Sequence, residues 1–233
     1  MEPNKRPNWY KLEFDPSTVG VLLTSHPKQQ MFWDECLSSW TGSPYHVIMG
    51  YDYNNCDAII EPMKKYPGVK EIFATGKVFG HANGELMQLK IGFQRLFDMG
   101  FIYILKLAAD FKVGNLDGIK TLWEILETPY YPIMHGHACC GAQMLGEETG
   151  FMFGCAGLMA AVASAFDGHK KGGSAETFFM RHRRKMNGTV VPVGREEKFR
   201  ILDMVHVQGQ YAKDHNMTIQ DTWAIGEIYG NPR

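Results

Sequence analysis

Three stretches of this 233-residue chain have residue types and spacing that suit chemistry. The first is the end of FIYILKLAADFKV, residues 101–113, where an almost unbroken apolar run closes on Ala108, Ala109 and Asp110. Such a run reads as a strand buried on both faces, and its carboxyl end is where α/β sheets build their sites. A carboxylate there is either a turn residue, a place aspartate often takes, or what remains of a two-aspartate site. The second stretch is HGHACC at 135–140. If extended, it puts His135, His137 and Cys139 on one face, a trio that would suit zinc, although the spacing matches no structural zinc pattern and no fourth ligand is evident. A pocket for a substrate group and plain packing are the competing readings. The third is GHANG at 80–84, where Asn83 and Gly84 open a helix whose backbone N–H groups can meet a phosphate. A turn explains its glycines equally well.

These residues need elements to position them. VGVLLT at 19–24 is an apolar strand that stops at Ser25-His26-Pro27, and Pro27 suits the first turn of a helix running to about Trp40. YHVIMGYDYN is a second strand, and a helix near 56–66 leads to a third, VKEIFAT. From Asn83 to Met99, Leu86, Leu89, Phe93, Leu96 and Phe97 recur at helical spacing, with Asn83 a candidate cap and Gly100 just past the end. That helix delivers the chain into FIYILKLA, the fourth strand. Strands alternating with helices imply a mostly parallel sheet with helices on both faces. Its carboxyl edge should gather Ser25, Asp52, Thr75 and Asp110.

Beyond Asp110 the pattern is less regular. Residues 115–127 read as helix, YYPIMHGHACC as extended, and GFMFGCAGLMAAVASAF as a strand joined to a packed helix. SAETFFMRHRRKMNG is a helix that Ser174 caps and Gly188 closes. Within it, RHRRK at 181–185 is a solvated face or a contact for phosphate or an acidic partner. GEETG at 146–150 lies beside an acceptor or is an exposed acidic turn. TVVPV is a short strand, and MVHVQGQ falls in a tail that periodicity does not trace.

Composition sets the class. With 45% hydrophobic residues the chain can bury a full core, and a net charge of -1 argues against an electrostatic binder of nucleic acid or anionic membrane. Five cysteines, two of them adjacent, are not a disulfide framework and suit a reducing, cytoplasmic setting. The charged, proline-containing start MEPNKRPNWYKLEFDP is unlike a secretory signal, and the apolar stretch 151–166 is short for a membrane span. One domain with two lobes is expected, divided near residue 113.

The ordered set VGVLLTSHPKQQMFWDECLSSW, HVIMGYDYN and GHANGELMQLKIGFQRLFDMGFIYILKLAADF resembles the nucleotide-diphospho-sugar glycosyltransferases of the GT-A (Rossmann-like) fold. In that family an apolar strand ends in Asp-x-Asp; here the pattern is Ala108-Ala109-Asp110, so the first aspartate is replaced. The resemblance implies that residues of about 17–113 bind the nucleotide-sugar, with Thr24, Ser25, Asp52, Thr75, Asn83, Gly84, Ala108 and Asp110 along the donor. It implies an acceptor half over about 114–233. It implies Asp110 and a late histidine, His206, as ligands of Mn²⁺ or Mg²⁺. Glu176 in SAET stands where the family often carries an acidic motif, and it becomes the candidate catalytic base, although Thr177 occupies the usual base position.

The expected activity is transfer of a sugar from a nucleoside-diphosphate-sugar to a glycan or other hydroxyl acceptor. The second class is a GT-A-like protein that binds a nucleotide or glycan without turnover, consistent with the replaced aspartate. A nucleotidyltransferase would carry a basic glycine-rich loop after the first strand, and TSHPKQQ is not one.

Overall fold

The structure, a computed structural model, describes residues 13–77, 79, 81–127, 143–145, 150–168, 174–186, 189–191, 193 and 195–222. The four apolar runs of the first half become β1 (Val19–Ser25), β2 (His46–Tyr51), β3 (Val69–Ala74) and β4 (Tyr103–Ala108). Every residue of β1 is buried, which is why that strand shows no polar alternation. The rest of the chain adds β5 (Phe111–Val113), β6 (Gln143–Leu145), β7 (Phe151–Cys155), β8 (Thr189–Val191) and β9 (Met204–His206). The main sheet has seven strands in the order β3-β2-β1-β4-β7-β6-β8, and β5 pairs with β9 in a separate antiparallel ribbon. β7 is antiparallel to both of its neighbours, so the other six strands share one direction.

Helices cover both faces. On one lies α3 (His81–Asp98), whose Leu86, Leu89, Phe93 and Leu96 are fully buried over β1 and β2. Truncating Phe93 to alanine would remove about 3–5 kcal/mol of stability by opening a cavity under the helix. α5 (Ala156–Ser164) and α6 (Ala175–Lys185) pack beside α3. The opposite face holds α1 (Trp33–Ser38), whose Trp33 indole reaches Ser25, and α4 (Gly118–Glu127), whose Glu127 accepts a 2.7 Å hydrogen bond from Tyr103. Ser25 and Tyr103 belong to the face of Val19, Val21 and Leu23, because side chains alternate along β1 and Tyr103 pairs with Val19. α2 (Asp57–Met63) joins β2 to β3, α7 (Arg195–Leu202) packs on α4, and α8 (Val207–Asp214) follows β9 directly.

Several expectations need correction. The segment after β1 is not one helix to Trp40 but a 3-10 helix at Pro27–Phe32 followed by the short α1. Asn83 does not cap α3, because the helix begins two residues earlier and Asn83 sits inside its first turn. The Asp52 carboxylate stands at that helix end instead, accepting the Phe79 N–H at 3.1 Å. Gly84 makes room for it, since a Cβ there would collide with Asp52 Oδ2. Phe97, on the apolar stripe of α3, is 47% exposed at the helix's last turn. Gly100 ends the helix as expected, with φ +89 in the left-handed region. In RHRRK the face is not uniformly solvated, for Arg183 is turned inward and buried. Gly188 and the whole of YYPIMHGHACC lie outside the described residues, as does all of GEETG but its last glycine.

Candidate functional site

The parallel ladder runs to the carboxyl edge without a break. Thr24 is flanked by Gly50 and Ala108, the Asp52 N–H donates to Ser25 O at 3.0 Å, and the Ala109 N–H donates to Thr24 O at 2.8 Å. The ends of β1, β2, β3 and β4 therefore form one rim carrying Thr24, Ser25, Asp52, Thr75, Ala108 and Asp110, with Asn83 and Gly84 on the first turn of α3 above it.

At the β1–β3 end of this rim the polar side chains bond to one another. Ser25 Oγ accepts from Trp33 Nε1 at 3.0 Å, and its N–H donates to the buried Gln88 Oε1 at 2.9 Å. Thr75 Oγ1 lies 3.1 Å from Asp52 Oδ1 and 2.7 Å from Lys77 O. Asp52 is only 5% exposed. Tyr51 accepts from Gln30 Nε2 at 2.6 Å, and burial pushes its phenol well above the ordinary range.

The β4 end is built differently. Asp110 turns directly into β5, where Phe111 pairs with His206 of β9. The Val207 N–H donates to Asp110 O at 2.9 Å, and His206 Nε2 lies 3.2 Å from Asp110 Oδ2. With the carboxylate ionised, Nε2 is the donor of that bond. The imidazole stacks on Phe111 at 4.9 Å between centroids, and its Nδ1 edge lies over Gly209, where a Cβ would come within 2.8 Å. Two residues 96 positions apart, both singled out as metal ligands, thus touch. The Asp110 side chain is 6% exposed and the His206 side chain 27%, so the imidazole is the part that solvent reaches. Cys36 of α1 is nearby: burial, and next the Asp110 charge, push its thiol up.

One carboxylate and one imidazole are too few donors for a protein-only site, and among the described residues no group of three His, Cys, Asp or Glu could hold a metal. The pair fits a hard cation only as its minority ligands, the remainder being phosphate oxygens and water, which is how Mg²⁺ commonly binds. Glu176, the candidate base, is the second residue of α6, below the Ser174 cap that accepts from Thr177 N–H at 3.2 Å. It is half-buried, on the helix that packs against α3 and α5. His135, His137 and Cys139 lie outside the described residues.

Two features escaped the sequence reading. Lys106, the single charge inside FIYILKLA, is 0% exposed and donates to Glu85 of α3 at 2.7 Å. Its signal was in plain view, a lysine in an otherwise apolar strand. The other is a cleft of about 280 Å³ lined by Met31, Phe32, Glu35, Val207, Tyr211 and Asp214, between the 3-10 helix after β1 and α8. No periodicity announces it, since its walls come from segments far apart in the chain.

Neither a protein-family model nor a curated protein sequence matches the chain. Among solved structures it is similar to a "putative nucleotide-diphospho-sugar transferase" from Desulfovibrio desulfuricans G20, with a TM-score of 0.53 and 12% sequence identity, over 90% of this chain and 94% of that one. That likeness shows the fold: an α/β, mostly parallel sheet of the kind found in a nucleotide-sugar transferase.

Proposed function

We propose that this chain is a glycosyltransferase that moves a sugar from a nucleoside-diphosphate-sugar to a glycan or other hydroxyl acceptor. The observation that carries the reading is the Asp110–His206 contact at the carboxyl end of β4, where open α/β sheets receive their ligands. The nucleotide would lie along the rim, against Thr24, Ser25, Asp52, Thr75 and Ala108, with its diphosphate toward Asp110 and the first turn of α3 at Asn83 and Gly84. Asp110 and His206 would hold Mn²⁺ or Mg²⁺ together with the diphosphate oxygens. Such a cation neutralises the charge that grows on the leaving phosphate. Glu176 would take the proton of the acceptor hydroxyl if transfer inverts the anomeric centre. The chain's side of this chemistry is positional: the β5–β9 ribbon holds the imidazole against the carboxylate, and Phe111 fixes the ring plane. A cytoplasmic setting belongs to the same reading, since five cysteines with two adjacent are not a disulfide framework.

A second reading is a binding protein without turnover. It is favoured by Ala108 in place of an acid and Thr177 in place of a base. Incubation with a panel of sugar nucleotides and Mn²⁺, followed by detection of released nucleoside diphosphate, separates the two. Hydrolysis or transfer with at least one donor is expected, and binding without either for every donor would leave only the second reading.

A further inference from the structure

A fully buried lysine in the middle of a sheet is expensive to desolvate, and a paired carboxylate seldom returns more than that expense. Lys106 therefore needs a role beyond stability. Its partner suggests one. Along α3, Gly84 faces Asp52 just past β2, Gln88 binds the last residue of β1, and Gly92 rests on Leu22. Glu85 lies between the first two of these marks, at the height of the rim. Lys106 and Ala108 alternate onto the α3 face of β4, because their partners Leu22 and Thr24 do. The ammonium thus reaches up from below the rim and holds the Glu85 carboxylate near the place where Ala108 offers only a methyl group. The pair opens to solvent on the carboxylate side alone, with Glu85 26% exposed and Lys106 0%.

We infer that Glu85 is a hydroxyl-binding carboxylate of the nucleotide-sugar site, oriented by Lys106 and accepting hydrogen bonds from a sugar ring. The inference rests on the nucleotide-sugar reading above. The charge of the pair decides the ligand class. An ammonium 2.7 Å from the carboxylate repels a divalent cation, whereas a neutral hydroxyl is indifferent to it and still gains a charge-assisted bond. The hydroxyls belong to the ribose or to the donor sugar, and the two sources are separable.

The test is calorimetric titration of the full chain with uridine and guanosine diphosphates, their 2′,3′-dideoxy counterparts, and UDP-glucose. In the wild-type chain the ribose nucleotides, or the sugar nucleotide over the bare diphosphate, should bind roughly 10–100-fold tighter than the partner lacking those hydroxyls. The double variant Glu85→Gln/Lys106→Met, which leaves no unpaired buried charge, should lose that preference while binding the dideoxy compounds as before. Glu85→Asp, which keeps the ion pair but withdraws the carboxylate by one methylene, should lose part of it. Loss against the ribose compounds assigns the ribose, and loss confined to UDP-glucose assigns the donor sugar. A preference unchanged in both variants, or absent in the wild type, overturns the inference and leaves the nucleotide reading standing. If the wild type binds none of the compounds, both fall.

Discussion

Asp52 and Asp110 are two aspartates at the ends of parallel strands, 5% and 4% exposed, and yet they are met by opposite kinds of partner. Asp52 is met by local groups: the Thr75 hydroxyl, the Phe79 N–H and the bare Cα of Gly84. It closes a loop and sits at the amino end of α3, where negative charge is favoured by the helix dipole. Asp110 is met by an imidazole from the far end of the chain, itself partly open to solvent. Burial and position do not distinguish the two carboxylates. The nature of the partner does, since backbone and hydroxyl donors stabilise a charge in place while a titratable, metal-competent ring can change with it.

The contrast is sharpest in paired substitutions. Asp110→Asn should lower transfer activity by about 10²–10³-fold, the scale of losing one preorganised charge contact at the reacting phosphate. Its melting temperature should stay close to wild type, because asparagine still accepts from His206. Retained activity in a donor-consumption assay would remove Asp110 from the site. Asp52→Ala should do the reverse: urea denaturation should show a loss of about 2–3 kcal/mol from unsatisfied donors and the lost helix-end charge. Nucleotide affinity of the folded fraction should fall by less than about tenfold, the scale of one rim hydrogen bond, and a larger drop would make Asp52 a principal ligand contact rather than chiefly a helix-end group.

His206→Gln should cost at least about tenfold in transfer, since it removes one of two protein ligands and even groups behind a metal ligand are worth that much, and a metal titration should show weaker Mn²⁺ binding. Mn²⁺ alone should bind poorly to the wild type, as two protein donors imply, and should bind once a nucleoside diphosphate is added. The smallest effect belongs to the opposite edge of the sheet. His46, the first residue of β2, packs against Phe101 with the two rings tilted, and burial lowers its pKa, with Lys70 adding to the shift. A lowered folded pKa means the unfolded chain takes up the proton first, so this residue's contribution is intact above about pH 6.5 and is lost as pH falls through the folded value. His46→Phe should flatten the fall of the urea midpoint between pH 7.5 and pH 5.5, and an identical slope in both proteins would dismiss the effect.

Much of this was readable from the residues. β1, β2 and β4 announce themselves as largely apolar runs, α3 by apolar residues at helical spacing and β3 by its place in the alternation, and their order alone predicts the rim. Location singles out Asp110 and the resemblance singles out His206. What stayed hidden are the connections made by elements too short to carry a period. β5 and β9 have three residues each, and MVHVQGQ divides between a strand and a helix at His206. The Asn83 cap failed for a related reason, since the group at the helix end is Asp52, which follows β2 well before α3 begins. Lys106 was passed over because apolar neighbours on both sides make a single charge look like noise, although a buried charge in a strand demands a partner.

The β5–β9 ribbon has a consequence for how the molecule comes into being. Bringing Asp110 to His206 closes a loop of 96 residues, an entropic charge of about 4 kcal/mol that six paired residues must overcome. β1 meets β2 across only 26 residues, and β4, although it meets β1 across 84, does so with six paired positions against the ribbon's three. A chain leaving the ribosome is therefore expected to hold its sheet before it holds its Asp–His pair, and to be folded without yet being competent. Pulse-labelled hydrogen exchange would show this as protection at Leu105 and Leu107 preceding protection at Val207.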